Sequence, residues 1–135
     1  MKDLLSIGTI KTPYKSISQC PNNVSLDGAV CHLELKKEYI TALTGLAVDQ
    51  SITILYWLGA DLESSHQSLA TSCRVESSDW SGVFATRSPL RPNPIGVAVL
   101  EIDYIHDNKV TVTGLDCLNG TQLLDIKPAI YKELR

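Results

Sequence analysis

An all-β fold, a single antiparallel barrel with at most one or two short helices, is predicted by three observations. The chain divides into many short strand-like segments, turn residues punctuate them at close intervals, and no long amphipathic helix alternates with strands as a parallel βαβ sheet requires. Leu4–Lys11 alternates weakly and predicts a first strand. Thr12–Asp27 is polar, carries Pro13, Pro21 and Asn22-Asn23, and predicts a loop. Gly28–Leu35 alternates as a strand does, and Lys37–Leu43 suits a short helix stopped at Gly45. Ile52–Leu58 is a β-branched and aromatic run, expected to be the most buried strand. Ser64–Ser68 predicts a turn and Leu69–Val75 another strand. Val97–Ile105 and Lys109–Leu115 flank His106-Asp107-Asn108, a hairpin signal. Asn119-Gly120, between Leu115–Leu118 and Thr121–Ile126, is a second, because Asn-Gly favours positive φ in a tight turn.

The 135 residues suit one domain spanning 1–135 with a real core. No apolar run approaches the ~20 residues a membrane helix needs, and Lys2-Asp3 precedes a strand-like segment, with no secretory signal. A cytoplasmic location is expected. Cys20, Cys31, Cys73 and Cys117 show no zinc spacing, and His32, His66 and His106 lie far apart, so no metal site is expected. A net charge of −3, with Lys36-Lys37 the only adjacent basic pair, argues against strong autonomous RNA binding.

Chemistry concentrates in the run Gly82–Gly96, GVFATRSPLRPNPIG, which holds three of the six prolines and two arginines four residues apart. Pro89, Pro92 and Pro94 bar helix and central strand and stiffen the loop. Such a loop presents Arg87 and Arg91 with little entropy left to lose, and a guanidinium fork suits carboxylate or phosphate oxygens. A rigid turn with solvated arginines is the equally weighted reading on chemistry alone.

The loop resembles the signature GVFATRSPxRPNPIG of the TsaA-like, or TrmO, family of S-adenosylmethionine-dependent tRNA methyltransferases. Thr113–Pro128, TGLDCLNGTQLLDIKP, is similar to the family's GLDLLDGTPLLDIKP, and Ile7–Tyr14, IGTIKTPY, to its IGxIxSPY. The resemblance covers nearly the whole chain in the same order. It implies a single barrel, S-adenosylmethionine as cofactor, and a homodimer with the site at or near the subunit interface. The implied substrate is N6 of threonylcarbamoyladenosine in tRNA.

Carried over by position, the family's cofactor contacts fall on Arg87, Val97, Cys117, Leu118, Asn119 and Gly120. Arg91, Asn93 and Asp125 are candidates for holding the methyl acceptor. A nitrogen that gains a methyl group must shed a proton, and Asp116 and Asp125 are candidate acceptors. No glycine-rich βα turn of the dinucleotide-binding kind is present, so a cofactor would need another geometry.

The chain departs from the pattern in several places. Ser18-Gln19-Cys20-Pro21 replaces the family's Pro-Arg-Gln or Pro-x-Gln-Pro segment, and Asn119 stands where Asp is common. Gln50-Ser51 and Leu58-Gly59 replace pairs that contain histidine, and Arg135 ends the chain without the additional C-terminal domain of tRNA-modifying members. Two readings remain beside the methyltransferase: a non-catalytic module binding S-adenosylmethionine or a nucleoside, and a β-barrel interaction protein without a ligand.

Overall fold

A computed structural model describes residues 3–59, 72–74 and 80–130, those at 72–74, 80 and 81 by backbone only. Nine strands follow one another: β1 (Gly8–Lys11), β2 (Val30–Leu35), β3 (Ser51–Trp57), β4 (Ser72–Arg74), β5 (Trp80–Gly82), β6 (Ile95–Glu101), β7 (Tyr104–His106), β8 (Lys109–Thr113) and β9 (Thr121–Pro128). Seven form one antiparallel sheet in the order β6-β3-β9-β1-β2-β8-β7, while β4 pairs with β5. The all-β prediction is met; the closed barrel is not confirmed. Among the described residues no ladder joins β6 to β7, although the sheet curls enough for β6 and β8 to approach each other. The three-residue β7 offers too little edge to seal the gap.

Alternation builds the core. Ile10, Leu33, Leu35, Ile52, Ile54, Ala98, Leu100, Val110, Val112 and Leu123 all point to one buried face, joined by Cys31, Leu115 and Cys117. Successive side chains of a strand point to opposite faces, so each strand contributes every second residue.

Most predicted elements appear with shifted ends. The first strand begins at Gly8, leaving Leu4 and Leu5 exposed. The second begins at Val30, after a turn in which the Gly28 N–H donates to the Ser25 carbonyl. Lys37–Leu43 is a 3-10 helix, ended by Gly45 at φ 101°. The predicted turn at Ser64–Ser68 lies outside the described residues, as do both ends of the strand predicted over Leu69–Val75. The hairpin at Asp107-Asn108 joins β7 to β8, with Asp107 at φ 55°.

The second predicted hairpin is corrected. Asn119-Gly120 does form a tight turn, with the Thr121 N–H donating to the Leu118 carbonyl and Gly120 at φ 89°. Leu115–Leu118 is not a strand, however, and β9 pairs with β1 and β3 rather than returning along β8. The segment is captured by β1 instead: Gly120 donates to the Ile10 carbonyl and Asn119 to that of Tyr14, each at 2.8 Å. Between Leu55 and Tyr56 the β3–β9 register shifts, a bulge that leaves Leu124 unpaired with β3. Both Tyr56 and Trp57 are buried there.

Candidate functional site: two clefts that meet at Arg87 and Asp116

The proline-rich loop is pinned at both ends by buried Val83 and Pro94. Its prolines cannot supply N–H donors, and Arg91 does so instead: one guanidinium nitrogen donates to the carbonyls of Thr86 at 2.9 Å and Ser88 at 3.1 Å. The hydroxyl of Thr86 donates to the Val83 carbonyl and accepts from the Ser88 N–H, closing the turn from inside. Arg91 is therefore largely committed to the loop. Arg87 is exposed and has no ion-pair partner among the described residues.

Across the clefts, Asp116 is fixed between buried Leu115 and Cys117. The Tyr56 hydroxyl, brought up by the end of β3, donates to Asp116 Oδ1 at 2.9 Å. Burial foremost, then the Asp116 charge and that hydrogen bond, hold the Tyr56 phenol well above its ordinary range, with Arg87 pulling the other way. Burial pushes the Cys117 thiol up to about 12; a hydrogen bond with Thr121 opposes the rise and the Asp116 charge adds to it. Cys20 is raised by its own partial burial and by the same carboxylate. One negative charge thus faces Tyr56, Cys117 and Cys20, with the Arg87 guanidinium close by.

Two clefts meet here. The larger, about 580 Å³, is lined by Asn22, Tyr56, Leu58, Thr86, Arg87, Arg91, Asn93, Gly96, Val97 and Asp116, among others. The smaller, about 380 Å³, is lined by Ile17, Cys20, Pro21, Asn22, Trp57, Leu58, Gly59, Arg87, Pro89, Asp116, Cys117, Leu118 and Thr121. Asn22, Leu58, Arg87 and Asp116 belong to both.

The structure thus brings Arg87, Arg91, Asn93 and Val97 to the larger cleft, and Arg87, Cys117 and Leu118 to the smaller. Asn119 and Gly120 line neither. Asn119 Oδ1 accepts from the Thr12 N–H, and the Thr12 hydroxyl donates to the Cys117 carbonyl, so this turn tethers the chain's opening loop. Asp125 sits elsewhere, in a third cleft beside Tyr39, Leu46 and Gln50, and pairs with Lys127 at 2.9 Å. Of Leu58 and Gly59, at positions of the histidine-containing pair, Leu58 lines both clefts and Gly59 the smaller one.

Tyr56, Trp57 and Asn22 were not singled out from the sequence. A signal did exist for Tyr56: a phenol inside the apolar run ITILYWL needs a partner for its hydroxyl once buried. Among the described residues no group of three or more His, Cys, Asp or Glu could hold a metal ion, and no helix is long and apolar enough to cross a membrane.

The model of the tRNA-methyltransferase O N-terminal domain matches residues 9–133. The chain belongs to this family. It is 38% identical to a Rhizobium radiobacter protein described as a probable S-adenosyl-L-methionine-binding protein, VirR, over 93% of this chain and 69% of that one. It is 32% identical to the Escherichia coli tRNA (adenine(37)-N6)-methyltransferase over 90% of this chain and 55% of that protein. The crystal structure of TrmO from P. aeruginosa superposes with a TM-score of 0.75 at 29% identity, covering 98% of this chain and 57% of that one. The chain thus spans little more than half the length of these two TrmO-type proteins.

Proposed function

We propose that this TrmO-family domain is an S-adenosylmethionine-dependent methyltransferase acting on a nitrogen of an adenine in tRNA, with N6 of threonylcarbamoyladenosine the family-implied acceptor. The observation that carries the reading is the pair of clefts sharing one wall, with a hydrogen-bonded carboxylate and a guanidinium that has no ion-pair partner among the described residues on that wall. Methyl transfer brings two reactants together in line, so adjoining cavities that meet at charged groups suit it. Both volumes lie within the usual range for small-molecule sites.

The residues fit the cofactor. Arg87 offers a planar donor fork for the methionine carboxylate. Trp57, Leu58 and Leu118 give the smaller cleft apolar surface suited to a purine, and Cys117 is kept there as an uncharged thiol. When bound, the cofactor supplies an electrophilic methyl group on a sulfonium. In this assignment the smaller cleft takes the cofactor, and the larger, with Asn93 and the Arg91-braced loop, takes the acceptor. Val97, carried over as a cofactor contact, lines the larger cleft and would touch the cofactor only across the shared wall.

Three further elements belong to the proposal: a single domain over 1–135, a cytoplasmic location and a homodimer, the last supported by the exposed apolar side chains Phe84 and Leu90 on the proline-rich loop and Ile17 on the smaller cleft's wall. A non-catalytic S-adenosylmethionine-binding module is the second reading, favoured by the net charge of −3 and by Leu58-Gly59 at the site. Calorimetry with S-adenosylmethionine tests binding, and transfer of a labelled methyl group to tRNA lacking the modification tests the reaction. Binding without transfer, to tRNA or to nucleoside, establishes the second reading. No binding overturns both.

A further inference from the structure

We infer that Asp116 is the carboxylate that takes the proton from the attacking nitrogen, with Tyr56 as the residue that positions it; this rests on the methyltransferase reading above. Asp116 lines both clefts and so stands where the contents of one face the contents of the other. Its Oδ1 accepts the Tyr56 hydroxyl at 2.9 Å, which orients the carboxyl group, and Oδ2 has no hydrogen-bond partner among the described residues. The phenol cannot compete for the proton, because burial and the adjacent carboxylate keep Tyr56 protonated. Asp125 is excluded by position: it lies in another cleft, paired with Lys127. Among the described residues lining the two clefts, no other carboxylate or histidine is present.

The step balances within the site. The acceptor nitrogen forms a bond to the methyl carbon, the carbon–sulfur bond breaks with its electron pair remaining on sulfur, and the nitrogen's proton passes to Asp116, which returns it to solvent.

Binding and turnover together test the assignment. Sinefungin carries an amine in place of the methylsulfonium, so a carboxylate facing the transferred group should hold it at least about tenfold more tightly than S-adenosylhomocysteine. Asp116→Asn keeps the side-chain shape and an acceptor for the Tyr56 hydroxyl. It should bind S-adenosylhomocysteine as the unchanged protein does, lose the preference for sinefungin, and transfer methyl about a hundredfold more slowly or worse. Tyr56→Phe should lower kcat with an unchanged acceptor KM, which a merely structural role would not do. An Asp116→Asn variant that keeps either the preference or its turnover to within about threefold overturns the inference. So does one that loses S-adenosylhomocysteine binding, because the carboxylate would then hold the cofactor. An unchanged protein that binds neither ligand overturns the methyltransferase reading itself.

Discussion

Arg91 donates to the Thr86 carbonyl from across the same loop, at 2.9 Å, and this contact divides the labour between the loop's two arginines. The loop lacks donors wherever proline stands, so one guanidinium is spent on its shape while Arg87 is left to face the clefts.

Arg87→Ala is expected to weaken S-adenosylmethionine binding by about 1.5–3 kcal/mol, the scale of a hydrogen bond to a charged group, with little change in thermal stability. Arg91→Ala should do the reverse in emphasis, lowering stability by about 1–2 kcal/mol through the unpaired Thr86 and Ser88 carbonyls. Calorimetry and thermal melts of the two variants check the division. Equal losses of affinity and stability in both would refute it.

Gly96 is opposite Tyr56 on the neighbouring strand and leaves room for its ring. A Cβ at Gly96 would meet ring atoms Cδ2 and Cζ at 2.8 and 2.9 Å, and Cε2 closer still. Gly96→Ala should therefore destabilise the fold by about 1–3 kcal/mol, as overpacking does, and displace the Tyr56 hydroxyl from Asp116. Denaturant unfolding beside ligand calorimetry measures both effects. A variant within about 0.5 kcal/mol of the parent would show that the ring moves freely.

At Gly120 the backbone takes φ 89°, with open space where a side chain would go, so conformation alone decides the outcome. Gly120→Val is expected to cost about 1–3 kcal/mol, because a β-branched residue fits positive φ badly. Since Gly120 also donates to β1, the loss should appear in global unfolding rather than as local fraying. Equal midpoints for variant and parent would contradict this.

Local signals were legible; long-range partners were not. Lys37–Leu43 with Gly45, the buried run around Ile52–Trp57 and the Asp107-Asn108 hairpin each follow from a few neighbouring residues. The turn at Asn119-Gly120 was legible too, but not its consequence. Whether the following strand returns along β8 or joins β1 and β3 depends on residues about 65 to 115 positions away. The site divides the same way. Arg87 announces itself by its loop, whereas the Tyr56–Asp116 contact spans 60 positions, a separation that no local pattern encodes.

Alkaline pH should unfold the protein in a way that reports on Cys117 and Tyr56. Burial raises the Cys117 thiol from 9.0 to about 12, and Tyr56 is raised as well. The folded state then holds these protons more tightly than the unfolded chain. The Cys117 contribution is complete below pH 9 and is lost as pH climbs toward 12, and the Tyr56 contribution begins to fall only above pH 10, at about 1.4 kcal/mol per pH unit for each group. Guanidinium unfolding at pH 8 and pH 11 should show the fall, and Cys117→Ala should flatten it whatever its effect at pH 8. An identical slope in the variant would place the lost protons elsewhere.

The last expectation concerns assembly. Phe84 is 84% exposed and Ile17 79%, one on the proline-rich loop and the other on the wall of the smaller cleft. Exposed apolar side chains on the loop and on the cleft wall are surface that a second subunit can cover, and covering the cleft wall would also close the site around a ligand. Light scattering at micromolar concentration should give about twice the chain mass. Phe84→Ser should shift the population toward the single chain and weaken S-adenosylmethionine binding in parallel, since each cleft would lose its cover. A monomer that binds the cofactor tightly, or a dimer indifferent to Phe84→Ser, would show that this loop is not the interface.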